Sequence, residues 1–274
     1  MPRLVKARLR MGGVFERTAT FARPSGRECE LPRRLIAFDA GAQRGDPVTV
    51  TLPAWLAHNE RIDPMTPTFL VLDTETTGLF DFKKPADDPS QPRLAAVAFI
   101  ICDAAGEEIE AVRHLVKPDG WTMPPEAQAI NGLSTDILDA NGVPVLTVLD
   151  EYEAHIKGGL IVIGFNAQHD AKMMRAELRR AGRPDLFEET PNVCVMRALK
   201  PYKDEGLELR GGFVKLKVAC DYFGIPLDEA HEAMADAQAA RQILARLIRD
   251  GRLPEAKVHY AKTPPVKAAQ EAAE

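Results

Sequence analysis

The chain has 274 residues, 45% hydrophobic and 27% charged, the make-up of a folded water-soluble protein with room for one full-sized domain plus a small one. No run approaches the roughly 18 uncharged apolar residues of a membrane span, and the basic start MPRLVKARLR lacks the apolar core of a secretory signal, so no membrane partner is expected. The net charge of −5 is uneven: residues 1–50 hold 10 Lys/Arg against 5 Asp/Glu, and the rest is acidic, which argues against a broad duplex-coating basic surface.

In chain order, residues 1–63 read as a small, basic, β-rich module. TATFARPSGRECELP forms two short strands around a Pro-Ser-Gly turn, and GDPVTVTLPAWLAHNERI an alternating strand followed by a short amphipathic segment. The proline-rich RIDPMTPT reads as a linker. From Phe69 the pattern changes. FLVLD is a buried strand followed by the polar loop DFKKPADDPSQPR, and LAAVAFIICDAAGEEIEAVRHLVKP is two strands joined by a tight turn. PPEAQAI and VPVLTVLDEYEAHI are helical, LIVIGFN is a strand, and QHDAKMMRAELRRAG, KLKVACDYFGI and EAMADAQAARQILARLIRD are helices. A hairpin followed by helices and inner strands is an α/β three-layer pattern. The tail from about Leu253 to Glu274 lacks an apolar period and reads as disordered. The four cysteines, Cys29, Cys102, Cys194 and Cys220, are scattered without a CxxC pair, which fits a reducing cytoplasm rather than disulfides or zinc.

Four carboxylates stand where hydrophobic elements end or apolar stripes should continue. Asp73 and Glu75 are two apart on a strand, so they share one face, with Thr74 on the other. That is a grip for a hard cation through oxygen. Asp170 opens the helix after LIVIGF, where Asn166 is placed to cap or brace the turn. Asp236 lies beside Ala233, Ala237 and Ala240 on a face continued by Leu244 and Leu247. A lone acid in that stripe is costly unless it binds something. His231 sits five residues earlier, at the helix start, where an imidazole titrating near neutrality suits a general base. Divalent metals compensating these acids would suit phosphodiester chemistry.

DTETTG, FNAQHD and HEAMADA, in this order, resemble the three exonuclease motifs of the DnaQ-like 3′–5′ exonucleases in their DEDDh form. GWTMPPEAQAINGLS and KLKVACDYFGI are similar to further stretches of that family, and the likeness spans about residues 67–250. Phe165, His169 and Asn131 depart from residues common in the family (histidine, an aromatic and histidine), which bears on substrate preference and groove packing. The resemblance implies a ribonuclease H-like three-layer fold, with a mixed five-stranded sheet flanked by helices, and two divalent ions, Mg²⁺ or Mn²⁺. Asp73 would bridge them, Glu75 and Asp236 would complete one shell, and Asp170 would help hold the other. His231 would take a proton from the attacking water. Thr76, Thr77, Leu79 and Asn166 would hold the terminal nucleotide.

The expected partner is a single-stranded DNA 3′ end, in a bacterial or phage-encoded protein; the alternatives are RNA 3′ ends or a polymerase-associated proofreading role. Arg197, Lys200, Lys203, Arg210, Lys215 and Lys217, with Tyr202 and Phe213 interleaved, form a second basic stretch able to guide a single strand or simply to solvate a loop. Trp55 and Trp121 read as packing residues. The first 63 residues, weakly similar to a small β module found beside diverse domains in phage and bacterial proteins, are free to contact protein or nucleic acid.

Overall fold

A computed structural model describes residues 66–81, 83–227 and 231–258, together with the backbone of four N-terminal strands; the side chains of residues 187 and 188 are not part of that description. The N-terminal strands are β1 (Arg3–Gly12), β2 (Glu16–Ala22), β3 (Glu28–Leu31) and β4 (Pro47–Leu52). They pair antiparallel in the order β3-β2-β1-β4. Strand β1 lies in a stretch read above only as a basic start. The amphipathic segment after β4, Trp55 and residues 259–274 of the tail fall outside the described residues.

The second sheet is built from β5 (Phe69–Thr76), β6 (Leu94–Cys102), β7 (Glu108–Leu115), β8 (Ile161–Gly164) and β9 (Asn192–Cys194). Its order is β7-β6-β5-β8-β9. β5 pairs antiparallel with β6 and parallel with β8, and β8 pairs parallel with β9, so the sheet is mixed. Every residue of β6 is buried, as a strand covered on both faces requires. β7 has exposed charges because it forms an edge.

Helices cover both faces. They are α1 (Pro125–Asn131), α2 (Thr135–Asn141), α3 (Val145–Lys157), α4 (Ala167–Arg180), α5 (Val195–Ala198), α6 (Leu216–Phe223) and α7 (Ala233–Arg249). The two-residue period of β5 splits the core. Phe69 and Val71 pack with Ala233, Ala237, Ala240 and Leu244 of α7. Leu70 and Leu72 pack with Tyr152 of α3 and with Met173 and Met174 of α4. The expected three layers and five-stranded sheet are therefore present, with β9 and α2 as additions. After α7 the chain returns to the sheet, where Lys257 pairs with Asn192 across an antiparallel bridge. Cys102, Cys194 and Cys220 are buried free thiols. No helix among the described residues is long and apolar enough to cross a membrane.

Candidate active site

The acids meet where the end of β5 faces the first turns of α4 and α7. The alternation that sends Phe69 and Val71 toward α7 also sends Asp73 and Glu75 there. Alanines at 233, 237 and 240, all at most 1% exposed, let α7 approach closely enough for Asp236 to join them. Ligand oxygens of Asp73, Glu75 and Asp236 lie within 4.8 Å of one another. Just past Glu75 the β5–β6 register shifts, Glu75 pairing with Ala96 but Thr76 with Leu94. This bulge ends the ladder beside the acids and turns the following loop outward.

Asp170 reaches the cluster from the other face of the sheet. It is 3% exposed, and its Oδ1 accepts from the Thr74 main-chain N–H at 3.1 Å and the Thr74 hydroxyl at 2.8 Å. Gly164 makes room for it: a Cβ there would stand 3.0 Å from Ala167 Cα and 3.2 Å from Asp170 Oδ2. Neither partner follows from the motifs alone, although the glycine closing LIVIG is a visible sign of a close approach. Asn166 corrects an expectation. It occupies the N-cap of α4, yet its side chain makes no capping bond; its carbonyl accepts from His169 N–H at 2.8 Å instead. The amide is left exposed at the rim.

His231 is exposed just before α7, and its main-chain N–H donates to Asp236 Oδ2 at 3.3 Å. Its backbone is left-handed, with φ 68°. The next residue, Glu232, was not foreseen. It caps α7 by accepting from Ala235 N–H at 2.8 Å and pairs with Arg113 of β7 at 2.6 Å. Arg113 is thus joined to this acidic corner through Glu232. Thr76 and Thr77 brace the loop: the Thr76 hydroxyl donates to Gly78 O at 2.6 Å, and the Thr77 hydroxyl accepts from Arg93 N–H at 2.8 Å. Leu79 is 90% exposed. Of the three departures noted above, Phe165 is buried, His169 meets the Phe80 ring edge-on at 5.7 Å, and Asn131 donates to Thr76 O at 3.3 Å.

Electrostatically the site is a cluster of like charges. Burial, then the charges of Asp170, Asp236 and Glu75, hold the Asp73 carboxyl well above the usual range. Burial, then Asp236 and Asp170, push Glu75 up to about 8, against a smaller opposing pull from Arg113. Burial raises Asp236 and Asp170 too, the latter against its hydrogen bonds from Thr74. Asp236 Oδ1 is buried with no hydrogen-bond partner. A bare cluster of this kind is destabilising, and an all-oxygen donor set is what a hard divalent cation takes. The residues present therefore fit a hard divalent cation.

A mixed five-stranded sheet flanked by helices, with carboxylates converging at the end of its central strand, is a ribonuclease H-like fold. The chain belongs to the exonuclease family RNase_T, of the DnaQ-like 3′–5′ type, whose sequence profile matches residues 70–244. It is 26% identical over 195 residues to the PolC-type DNA polymerase III of Streptococcus thermophilus, across 70% of this chain. It spans only 12% of that polymerase. Among solved structures, it is similar in fold to E. coli ExoI in a zinc-bound complex with single-stranded DNA (TM-score 0.56, 22% identity, 66% of this chain and 40% of that one). An Exonuclease I from Methylocaldum szegediense gives a TM-score of 0.54 at 22% identity, covering 66% of this chain and 40% of that one.

Proposed function

We propose that residues 67–250 form a divalent-metal-dependent 3′–5′ exonuclease unit that hydrolyses the terminal phosphodiester of single-stranded or frayed DNA and releases nucleoside monophosphates. The observation that carries this reading is the convergence of Asp73, Glu75 and Asp236 around a buried, unpartnered Asp236 oxygen. When bound, two divalent ions supply positive charge that offsets the anionic phosphodiester and its leaving 3′ oxygen. Asp73, Glu75 and Asp236 would hold one ion, and Asp170, steadied by Thr74, would help to hold the other.

His231 takes the proton from the attacking water. Its exposed position, tied to Asp236 through the main chain rather than the ring, leaves the imidazole free for that task. The rigid loop of Thr76–Leu79 and the exposed amide of Asn166 flank the acids and hold the terminal nucleotide. The Thr76 hydroxyl is bonded to Gly78 and the Thr77 hydroxyl to the Arg93 N–H, so it is the loop backbone and Leu79 that face the substrate.

The choice of DNA rests on the PolC-type relatives, named as DNA polymerases, and agrees with the single-stranded DNA held by E. coli ExoI in its complex. Residues 1–63 form a separate module in this reading, available for a protein or nucleic-acid contact. The test incubates 3′-labelled single-stranded DNA with Mg²⁺ or Mn²⁺ and wild-type or Asp73→Ala protein. The expected result is mononucleotide release by the wild type alone. Absence of release by the wild type under both metals would overturn the reading.

A further inference from the structure

Beside the acid cluster lies an open groove of about 860 Å³. Asn166 and Gln168, at the start of α4, form one wall, and Arg197, Arg210, Phe213 and Lys215 line the other. Its volume falls in the range of ligand-binding pockets. Asn166 is the N-cap of the helix whose first turn carries Asp170, which puts that wall of the groove one helical turn from the acids.

The cations of this groove differ from most other arginines of the domain. Arg93, Arg113, Arg175, Arg183, Arg246 and Arg252 are all paired with carboxylates. Among the described residues Arg210 and Lys215 have no such partner, and Arg197 touches only Gln168 Oε1, at 3.4 Å. Glu208 is the carboxylate that the lining sets against them. The groove is therefore a positive strip in an acidic chain.

Local geometry places a ring beside that charge. Arg210 and Phe213 exchange main-chain hydrogen bonds at 2.8 and 3.1 Å across Gly211 and Gly212. Those glycines have φ of 60° and 82°, the left-handed pair of a type I′ reverse turn. Residues opposite each other in such a turn share a face, so the Arg210 and Phe213 side chains leave the turn on the same side. Phe213 is 50% exposed although its ring is apolar. Anionic phosphates alternating with flat bases match a strip of cations with an exposed ring.

We infer that this groove is a second nucleotide site, holding the unpaired nucleotides upstream of the terminal one with their phosphates on Arg197, Arg210 and Lys215 and a base against Phe213. It rests on the reading of the acid cluster as a DNA 3′-end site. The consequence is a preference for longer single strands. An acidic peptide would satisfy the charges but offers no flat ring at each step.

The test measures fluorescence anisotropy of labelled dT3 and dT12 on the full chain carrying Asp73→Asn, alone and combined with Arg210→Ala/Lys215→Ala or with Phe213→Ala. The parent is expected to prefer dT12. The charge substitutions should weaken dT12 about tenfold or more and flatten its salt dependence by about 0.7 in log–log slope for each phosphate they leave unneutralised. Phe213→Ala should weaken dT12 about fivefold or more, with Phe213→Tyr restoring it. Unchanged dT12 affinity in both variants overturns the inference. So does an equal loss on dT3 and dT12, or competition by poly-glutamate as strong as by dT12. If the wild type releases no mononucleotides but the length preference and its loss are seen, the exonuclease reading fails and the groove assignment stands.

Discussion

His231 is the one non-glycine residue with positive φ among the described residues, and it is the residue assigned the proton transfer. Left-handed backbone is uncommon outside glycine, with asparagine and histidine among the better tolerated side chains. The turn therefore holds the imidazole at the mouth of the acids without committing its ring to them. His231→Asn keeps the backbone preference and removes the base. It should lower the single-turnover rate about 10²–10⁴-fold while Mn²⁺ affinity, read by calorimetry, stays within a factor of a few. A loss of less than tenfold would remove His231 from the chemistry. At this scale much of the site was legible. Asp73 and Glu75 announce themselves because a strand repeats every two residues, and Asp236 because it interrupts a stripe of alanines. Glu232 and Arg113 were not, because their pairing joins β7 to the start of α7 and leaves no local period.

At the scale of elements, α4 fixes how the second motif meets the first. Glu177, 1% exposed, accepts from Arg93 Nε at 2.9 Å, from Leu94 N–H at 3.2 Å and from Arg180 Nη1 at 3.0 Å. Arg180 goes on to donate to Pro92 O at 3.0 Å and Gln91 O at 3.2 Å, so one buried carboxylate ties the helix to the start of β6 and its preceding loop. Removing the buried carboxylate leaves two partly buried guanidinium groups and the buried Leu94 N–H without their partner. Glu177→Ala should therefore destabilise the fold by about 3–5 kcal/mol in urea unfolding, with part of the activity lost as Asp170 loses its fixed helix. A cost under about 1 kcal/mol would mean that water satisfies the arginines.

The long elements were legible from their periods. β9 was not, because three residues carry no alternation. α2 was overlooked although Ser134 caps it, accepting from Ile137 N–H at 3.1 Å. A seven-residue helix shows too little of its apolar face to outweigh the glycines on either side.

For the whole molecule, the acid cluster couples metal binding, pH and stability. Glu75 titrates near 8 in the folded protein, against 4.5 for an ordinary glutamate, and Asp73, Asp170 and Asp236 are shifted the same way. A carboxyl raised in the folded state contributes stability that is full below the unfolded pKa and lost as pH rises through the folded one. In chelator, the melting temperature should fall between about pH 5 and pH 8. With Mg²⁺ or Mn²⁺ that fall should be offset or reversed, since a cation favours the ionised acids. Differential scanning calorimetry in the two buffers checks this. A metal-free melting temperature that rises across the same window would contradict the shared burial of these groups.

The order of the sheet has a consequence for how such an enzyme is made. Asp73 and Glu75 leave the ribosome early, on the central strand, while Asp236 arrives only with the last helix. α7 packs on the face of β5 that carries Phe69 and Val71, so its docking closes that side of the core. A nascent chain halted short of α7 thus has at most three of its four acids and lacks Asp236. The acid cluster and the α7 side of the core are therefore completed by the same helix, late in synthesis of the domain.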